Sequence, residues 1–107
     1  MKALEKGDKN RIKLRFAAGL YKALKASSWK SFRKLAEEAG MEPAHIQKIS
    51  AAKLDITLTT CISIATALNI SYTDFASYYD MVTEKDIEEF SEHLASQIRV
   101  KGKKEKK

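Results

Sequence analysis

Residues 31–50 read SFRKLAEEAGMEPAHIQKIS, and this stretch decides the fold. Its first half has apolar residues at helical positions i, i+3, i+4 and i+7, namely Phe32, Leu35, Ala36 and Ala39. Gly40 follows at once, and glycine enters the left-handed region that commonly ends a helix without steric cost. Pro43 suits the first position of a second helix, whose Ile46 and Ile49 face inward. These features predict two short helices joined by a tight turn, the geometry of a helix-turn-helix.

The composition fits one domain with tails, since the chain has 107 residues. The single cysteine, Cys61, cannot form an internal disulfide, and a reducing compartment fits. The sequence has no zinc-ligand spacing, glycine-rich phosphate loop or nucleophile elbow, so we expect no enzyme, catalytic residue, metal or cofactor. No apolar run approaches the roughly 20 residues that span a bilayer, and the start does not resemble a signal peptide. We therefore expect a cytoplasmic protein.

The net charge of +6 is distributed unevenly along the chain. Residues 1–27 hold eight Lys or Arg against two acidic residues, residues 57–98 hold one against seven, and residues 99–107 hold six against one. A polyanion would be attracted to both ends and repelled by the acidic part. The alternative is that the basic tails only keep the protein in solution. The cations between Lys9 and Arg15 either form an arm around a duplex or a solvated helix start, and the second use is commoner.

The part of the chain before residue 31 predicts one longer helix. Residues 1–9 are expected to be a flexible basic N-terminus. Residues 10–26 have one apolar side, formed by Ile12, Phe16, Leu20, Ala23 and Leu24. Residues 11–15 also alternate apolar and basic side chains, so a short strand is the alternative there. The next helix begins at Ser28 or at Ser31, because either serine can cap it.

Two helices are predicted after the helix-turn-helix. Thr57 caps a fourth helix, with an apolar stripe of Leu58, Cys61, Ile62, Ala65 and Leu68. Asn69 can end it in the left-handed conformation. Ser71 and Asp74 form a capping box for a short fifth helix, and residues 78–80 lead out of it. Residues 10–76 would thus form the helix-turn-helix domain.

A sixth helix is predicted within residues 77–98, after a connector. Thr83 and Asp86 form its capping box. Its apolar seam consists of Ile87, Phe90, Leu94 and Ile98. The seam either folds back on the domain or pairs with a second chain, and we expect the second because five short helices can be complete without it. Its acidic faces argue against a membrane surface, and residues 99–107 are expected to be a disordered basic tail.

A family pattern becomes visible when these residues are taken in order. It is carried by Leu35-Ala36, Ala39-Gly40-Met41, Ile46, Ile49, Lys53, Thr57-Leu58, Ile64-Ala65, Ala67-Leu68 and Phe75. Over about residues 31–76 the chain resembles the lambda-repressor-like (Cro/CI, XRE) helix-turn-helix family. The resemblance implies an all-α, five-helix DNA-binding domain, here with an additional C-terminal helix. It also implies a bacterial or phage transcription regulator that binds double-stranded DNA as a homodimer without a cofactor.

The resemblance assigns the DNA base contacts by position to Pro43, Ala44 and Lys48, with His45 and Gln47 beside them. The chemistry of these side chains is suitable. Lysine can donate to guanine O6 and N7, glutamine can pair with adenine, and alanine can meet a thymine methyl group. The alternative is that these side chains only cover a solvated helix.

Four residues are expected to contact DNA phosphates, namely Lys30, Ser31, Arg33 and Lys53. The chain departs from the family at five positions. Phe32 stands where a glutamine usually braces the DNA contact, Ser50 replaces a glutamate, and Ala52 replaces a glycine. Pro43 and Ala44 stand at the two positions that often carry glutamine or serine readers.

Two classes of function follow from this sequence. The first is a sequence-specific transcription regulator, expected to be a repressor, that reads the major groove with the helix over residues 43–50. The alternative is a protein-binding adaptor or antitoxin-like module on the same fold, with weak or non-specific DNA binding. It rests on the departures above and on the acidic helix over residues 84–98, which could bind a protein partner.

Overall fold

A computed structural model describes residues 4–29 and 31–105, with side chains up to residue 97. Within these residues the chain is all-α and contains no strand, as predicted. The helices are α1 (Lys6–Ala26), α2 (Phe32–Ala39), α3 (Pro43–Ser50), α4 (Leu58–Ala67), α5 (Tyr72–Asp80) and α6 (Glu84–Glu105). No helix in this part of the chain is both long enough and apolar enough to cross a membrane.

Helix α1 begins earlier than predicted, because a capping box starts it. The Glu5 amide donates to the Asp8 carboxylate at 3.1 Å, and an acidic residue in the first turn also suits the helix dipole. Residues 6–9 are therefore helical, whereas the polar composition predicted a flexible segment over residues 1–9. Residues 11–15 lie inside the same helix, so the strand alternative is wrong.

The turn between α2 and α3 forms as predicted. Ser31 caps α2, since its hydroxyl accepts the Lys34 amide at 3.2 Å, and this excludes the earlier start at Ser28. Gly40 has φ of 69°, and the next amide, from Met41, donates to the Ala36 carbonyl at 2.8 Å. This pairing satisfies a carbonyl that the end of a helix leaves without an intrahelical donor.

The ends of α3 and α4 use the same left-handed turn. Ala52 and Asn69 both have φ of 62°. After α3, the Lys53 amide donates to the Lys48 carbonyl at 3.0 Å. Asparagine tolerates this conformation, as predicted for Asn69, whereas alanine adopts it at a cost of about 1–2 kcal/mol. Ala52 thus holds a left-handed conformation that glycine would adopt without this cost.

The main core lies between α1, α2, α3, α4 and α5. Its fully buried large side chains are Leu20, Leu35, Ile46, Ile49 and Ile64. The inward positions predicted for α3 are therefore confirmed. Trp29 packs against this core, and its Nε1 donates to the Ala67 carbonyl at 2.7 Å at the end of α4.

Helix α1 crosses α5 closely at a glycine. A Cβ atom built on Gly19 would lie 3.2 Å from backbone atoms of Tyr78 and Tyr79. Four residues earlier, Arg15 donates from Nε to the Tyr79 carbonyl and from an Nη atom to the Asp80 carbonyl, each at 2.9 Å. These contacts stabilise the last turn of α5. Residues 78–80 are accordingly helical, although the sequence predicted that they lead out of a shorter helix.

The first half of α6 folds back on α1, which corrects the expected pairing with a second chain. Ile87 and Phe90 are buried in a second cluster with Ala17, Ala18 and Val82. Leu94 packs at its edge, and Ile98 lies outside the residues with described side chains. The cluster forms because small residues on α1 admit the larger side chains of α6.

Polar contacts reinforce the docking of α6 at its start. The predicted capping box is confirmed, with the Thr83 amide donating to Asp86 Oδ2 at 2.9 Å and the Asp86 amide donating to the Thr83 hydroxyl at 3.1 Å. Glu84 forms an ion pair with Arg11. Lys22 Nζ donates to Asp86 Oδ2 at 2.8 Å, and this contact, with the capping bonds, lowers the pKa of Asp86 to about 2.

Helix α6 also continues past its predicted end near Ile98. It reaches Glu105, so residues 99–105 are helical rather than disordered as the composition predicted. Most residues of this segment are lysine, glutamate or arginine, which are good helix formers and can extend a helix that is already nucleated.

Candidate nucleic-acid interface

The outward face of α3 is the surface to which the sequence assigns base contacts. Ala44, His45, Gln47 and Lys48 are all exposed, and Pro43 at the first position is half-buried. On the opposite face, Ile46 and Ile49 are 0% and 1% exposed. The two isoleucines therefore fix the rotation of α3 about its axis, and with it the direction in which the polar residues point.

The side chains on this face are not engaged by the protein. Within residues 4–29 and 31–97, neither His45, Gln47 nor Lys48 forms a side-chain hydrogen bond or ion pair. Helix α3 packs against α1 and α2 on its inner side only. Lysine, glutamine and imidazole groups are thus displayed together on a supported helix, ready to donate to or accept from an external partner.

Three of the four predicted phosphate contacts are exposed, and the fourth, Lys30, lies outside the described residues. Ser31 is the cap of α2, where helix amides that lack intrahelical partners can receive an anion. Arg33 is exposed in the first turn and lies 3.9 Å from Glu37, a contact at the outer limit of an ion pair. Lys53 is exposed just after α3, and its amide is bonded to the Lys48 carbonyl.

No protein-family model matches the chain, and no curated protein or solved structure gives a match.

Three basic residues of α1 are engaged by neighbouring helices. Arg11 pairs with Glu84, and Lys22 pairs with Asp86. Arg15 is directed to the carbonyls at the end of α5, and its guanidinium lies 4.7 Å from the centre of the Tyr79 ring. These three cations attach α1 to α5 and α6, whereas Lys9 is exposed.

One α1 cation acts close to the candidate interface. Lys13 Nζ lies 3.5 Å from the carboxylate of Asp55, which is exposed in the loop after α3. Asp55 is two residues from Lys53, so an unpaired carboxylate there would oppose an approaching phosphate. Lys13 therefore reduces a local repulsion, although it is separated from Asp55 by 42 positions in the sequence.

The sequence reasoning missed one further exposed cation. Lys34 follows Arg33 on the first turn of α2, and its side chain is exposed. The sequence feature that could have identified Lys34 is the pair of basic residues Arg33-Lys34 shortly after the helix cap at Ser31. Together with Arg33, Lys48 and Lys53 it gives four cations on the two helices and the loop that follows them.

Proposed function

We propose that this chain is a sequence-specific DNA-binding transcription regulator with the lambda-repressor-like fold. One observation carries the proposal. The turn at Gly40 and the buried Ile46 and Ile49 hold α3 firmly, while its outer face remains exposed and the polar side chains of that face have no hydrogen-bond or ion-pair partner within the part of the chain whose side chains are described. A firmly held helix with a free polar face is what major-groove recognition requires.

The proposed roles follow from the chemistry of each side chain. Lys48 donates to guanine O6 and N7, Gln47 pairs with an adenine edge, and Ala44 contacts a thymine methyl group. His45 is placed beside them and touches a base or a phosphate. Ser31 with its helix amides, Arg33 and Lys53 bind phosphates, which sets the register of the protein without reading sequence.

Two copies are proposed to bind one site. Their α3 helices would lie about 34 Å apart on one face of the duplex, so the preferred site is a near-palindrome. A protein held on such a site blocks other proteins from the same DNA, and repression is the outcome we propose.

Lys48→Ala and Lys53→Ala separate base reading from phosphate binding. The preferred site is first selected from a random duplex library, and dissociation constants are then measured on that site and on random DNA. Lys48→Ala should lose about 1–3 kcal/mol on the selected site and little on random DNA. Lys53→Ala should weaken both duplexes alike and reduce the slope of log K against log salt by about 1.

Lys85→Ala is the matched control, because Lys85 is an exposed cation on α6. It should leave both dissociation constants close to the parent values. Equal losses for Lys48→Ala on selected and random DNA would rule out the role of Lys48 as a base reader.

A protein-binding adaptor on the same fold is the second candidate, and the pairing of the α1 cations favours it. Arg11, Lys13, Arg15 and Lys22 are engaged by protein groups, which leaves less positive charge for DNA. Folded protein that does not bind random duplex at about 50 mM salt would favour the adaptor, because non-specific binding is strongest at low salt. Binding to the selected site that is at least about 1,000-fold tighter than binding to random duplex would favour the regulator, because non-specific binding has no preferred site.

A further inference from the structure

A long uncharged segment interrupts this highly charged chain. Asp, Glu, Lys and Arg make up 32% of all residues, yet the 18 residues from Ile56 to Thr73 include none of them and no histidine. Six large hydrophobic residues are exposed in the described part of the chain, and three of them fall in this segment. They are Leu58, Ile62 and Tyr72, with exposed fractions of 60%, 46% and 50%.

Two of these residues belong to a strip along α4. Leu58, Ile62 and Thr66 follow one another at intervals of four, so they lie on one face of the helix. Thr59 and Ser63 lie beside them, and the strip forms one wall of an open groove of ≈ 420 Å³ whose other wall consists of Glu38 and Ala39 of α2. The core side of α4 is supplied by different residues, such as Ile64 and Ala65, so the strip is not needed for folding.

The chemistry of the strip excludes several occupants. A duplex or an anionic membrane surface requires cations, and the strip has none. A charged protein partner would find no opposite charge on α4 to pair with. Leucine, isoleucine and three small hydroxyl side chains instead suit a surface of the same kind.

We propose that the α4 strip is the contact face between two copies of this chain. A two-fold axis would make this contact isologous, so that each copy contributes the same apolar and hydroxyl side chains to it. The charge balance favours this face, because two molecules that each carry +6 repel one another least where the strip has no cation and the only charged residue lining the groove is the acidic Glu38. The proposal needs no DNA and so does not rest on the function proposed above.

The size of the strip sets the strength of the contact. Helix α4 has ten residues, which corresponds to a length of about 15 Å. One face of a helix of this length supplies only part of the roughly 800 Å² per partner of a standard stable interface, so we expect a dissociation constant in the micromolar range or weaker. The contact would therefore become populated mainly at high protein concentration.

Sedimentation equilibrium on the full chain tests the proposal. From about 10 μM to about 1 mM, the concentration range of weak interfaces, the mean mass of the parent should rise from 12.1 kDa toward twice that value. Ile62→Glu should raise the dissociation constant at least about tenfold, because the carboxylate would be buried against an apolar partner. Leu58→Glu should do the same, and it preserves the fold because an acidic residue suits the first position of a helix.

Met81→Glu provides the control, since Met81 is 69% exposed and lies outside the uncharged segment. It should associate like the parent, and circular dichroism should show equal helicity in all four proteins. A parent that remains monomeric over the whole range would overturn the proposal. Folded Leu58→Glu protein that associates as tightly as the parent would overturn it as well, as would a Met81→Glu variant weakened as much as Ile62→Glu.

Discussion

Gly19→Ala tests how closely α1 and α5 approach. The added methyl group would lie 3.2 Å from the Tyr78 carbonyl carbon and oxygen and from the Tyr79 Cα atom. All three are backbone atoms, so no side chain can rotate away from the methyl group. Helix α1 must therefore move by a few tenths of an ångström relative to α5, and Arg15 must follow, because it is bonded to the same end of α5.

Two opposing terms determine the change in stability. Overpacking a close contact costs about 1–3 kcal/mol, and alanine gains about 1 kcal/mol over glycine in the interior of a helix. The packing term is the larger, so the free energy of unfolding should fall by about 1 kcal/mol. With a urea m-value of about 1–3 kcal/mol/M, the unfolding midpoint should fall by roughly 0.5 M.

Gly7→Ala is the matched control, because it is the same substitution in the same helix. A Cβ atom at Gly7 would meet no atom within 4 Å, so only the helix propensity changes there. Its free energy of unfolding should rise by several tenths of a kcal/mol, and its urea midpoint should rise accordingly. The gain is smaller than the full difference in helix propensity between alanine and glycine, because residue 7 lies in the first turn. Urea unfolding followed by circular dichroism measures both variants. A Gly19→Ala protein as stable as Gly7→Ala would refute the close crossing.

Two further predictions concern backbone strain and charge. Ala52→Gly should raise the free energy of unfolding by several tenths of a kcal/mol to about 1 kcal/mol, because glycine adopts φ of 62° without steric cost; a lower urea midpoint would contradict this. Asp86 has a folded pKa of about 2, below its ordinary 3.8, so its stabilising contribution is present above about pH 4 and is lost as the pH falls through about 2. Between pH 5 and pH 2, the urea midpoint of Asp86→Asn should therefore fall by less than that of the parent. Asp74→Asn is the control, because the Asp74 carboxylate is exposed and has no side-chain partner among the described residues. Its urea midpoint should fall by as much as that of the parent.

The helix ends could be predicted where their chemistry is local. Gly40, Thr57, Asn69 and Thr83 each lie within six residues of the groups that they cap or pair with, so the sequence contains the whole interaction. The start of α1 has a local capping interaction of the same kind, between Glu5 and Asp8. It was not predicted, because the polar composition of this segment suggested a flexible N-terminus. Local capping is therefore more informative than composition at the ends of this chain.

The partners of the α1 cations could not be predicted, because they are distant in the sequence. Arg15 and Tyr79 are 64 positions apart, and only the packing of α1 on α5 brings them together. Gly19 permits this packing. From the sequence alone, however, a glycine inside a helix indicates only that the helix is less stable. The last turn of α5 depends on Arg15 and Gly19, which are both on α1. The end of α5 predicted from its own sequence was therefore too early.

At the candidate interface, too, the local geometry could be predicted from the sequence, whereas the long-range contacts could not. The rotation of α3 followed from the spacing of Ile46 and Ile49, since two apolar positions three residues apart define one face of a short helix. Its electrostatic surroundings did not follow. Whether Asp55 repels a phosphate depends on Lys13, and that pairing requires the tertiary structure.

The folded structure changes what the charge pattern means. In sequence, a basic segment over residues 1–27 and an acidic one over residues 57–98 suggest that one attracts DNA and the other repels it. In the fold, part of each segment faces the other, because Arg11 pairs with Glu84 and Lys22 pairs with Asp86, and these two pairs of opposite charge cancel at short range. Under the proposed function, attraction to a duplex comes mainly from the cations of α2, α3 and the following loop. With about three phosphate contacts per copy, the slope of log K against log salt should be near −3 per copy rather than the steeper value that the basic N-terminus alone would suggest.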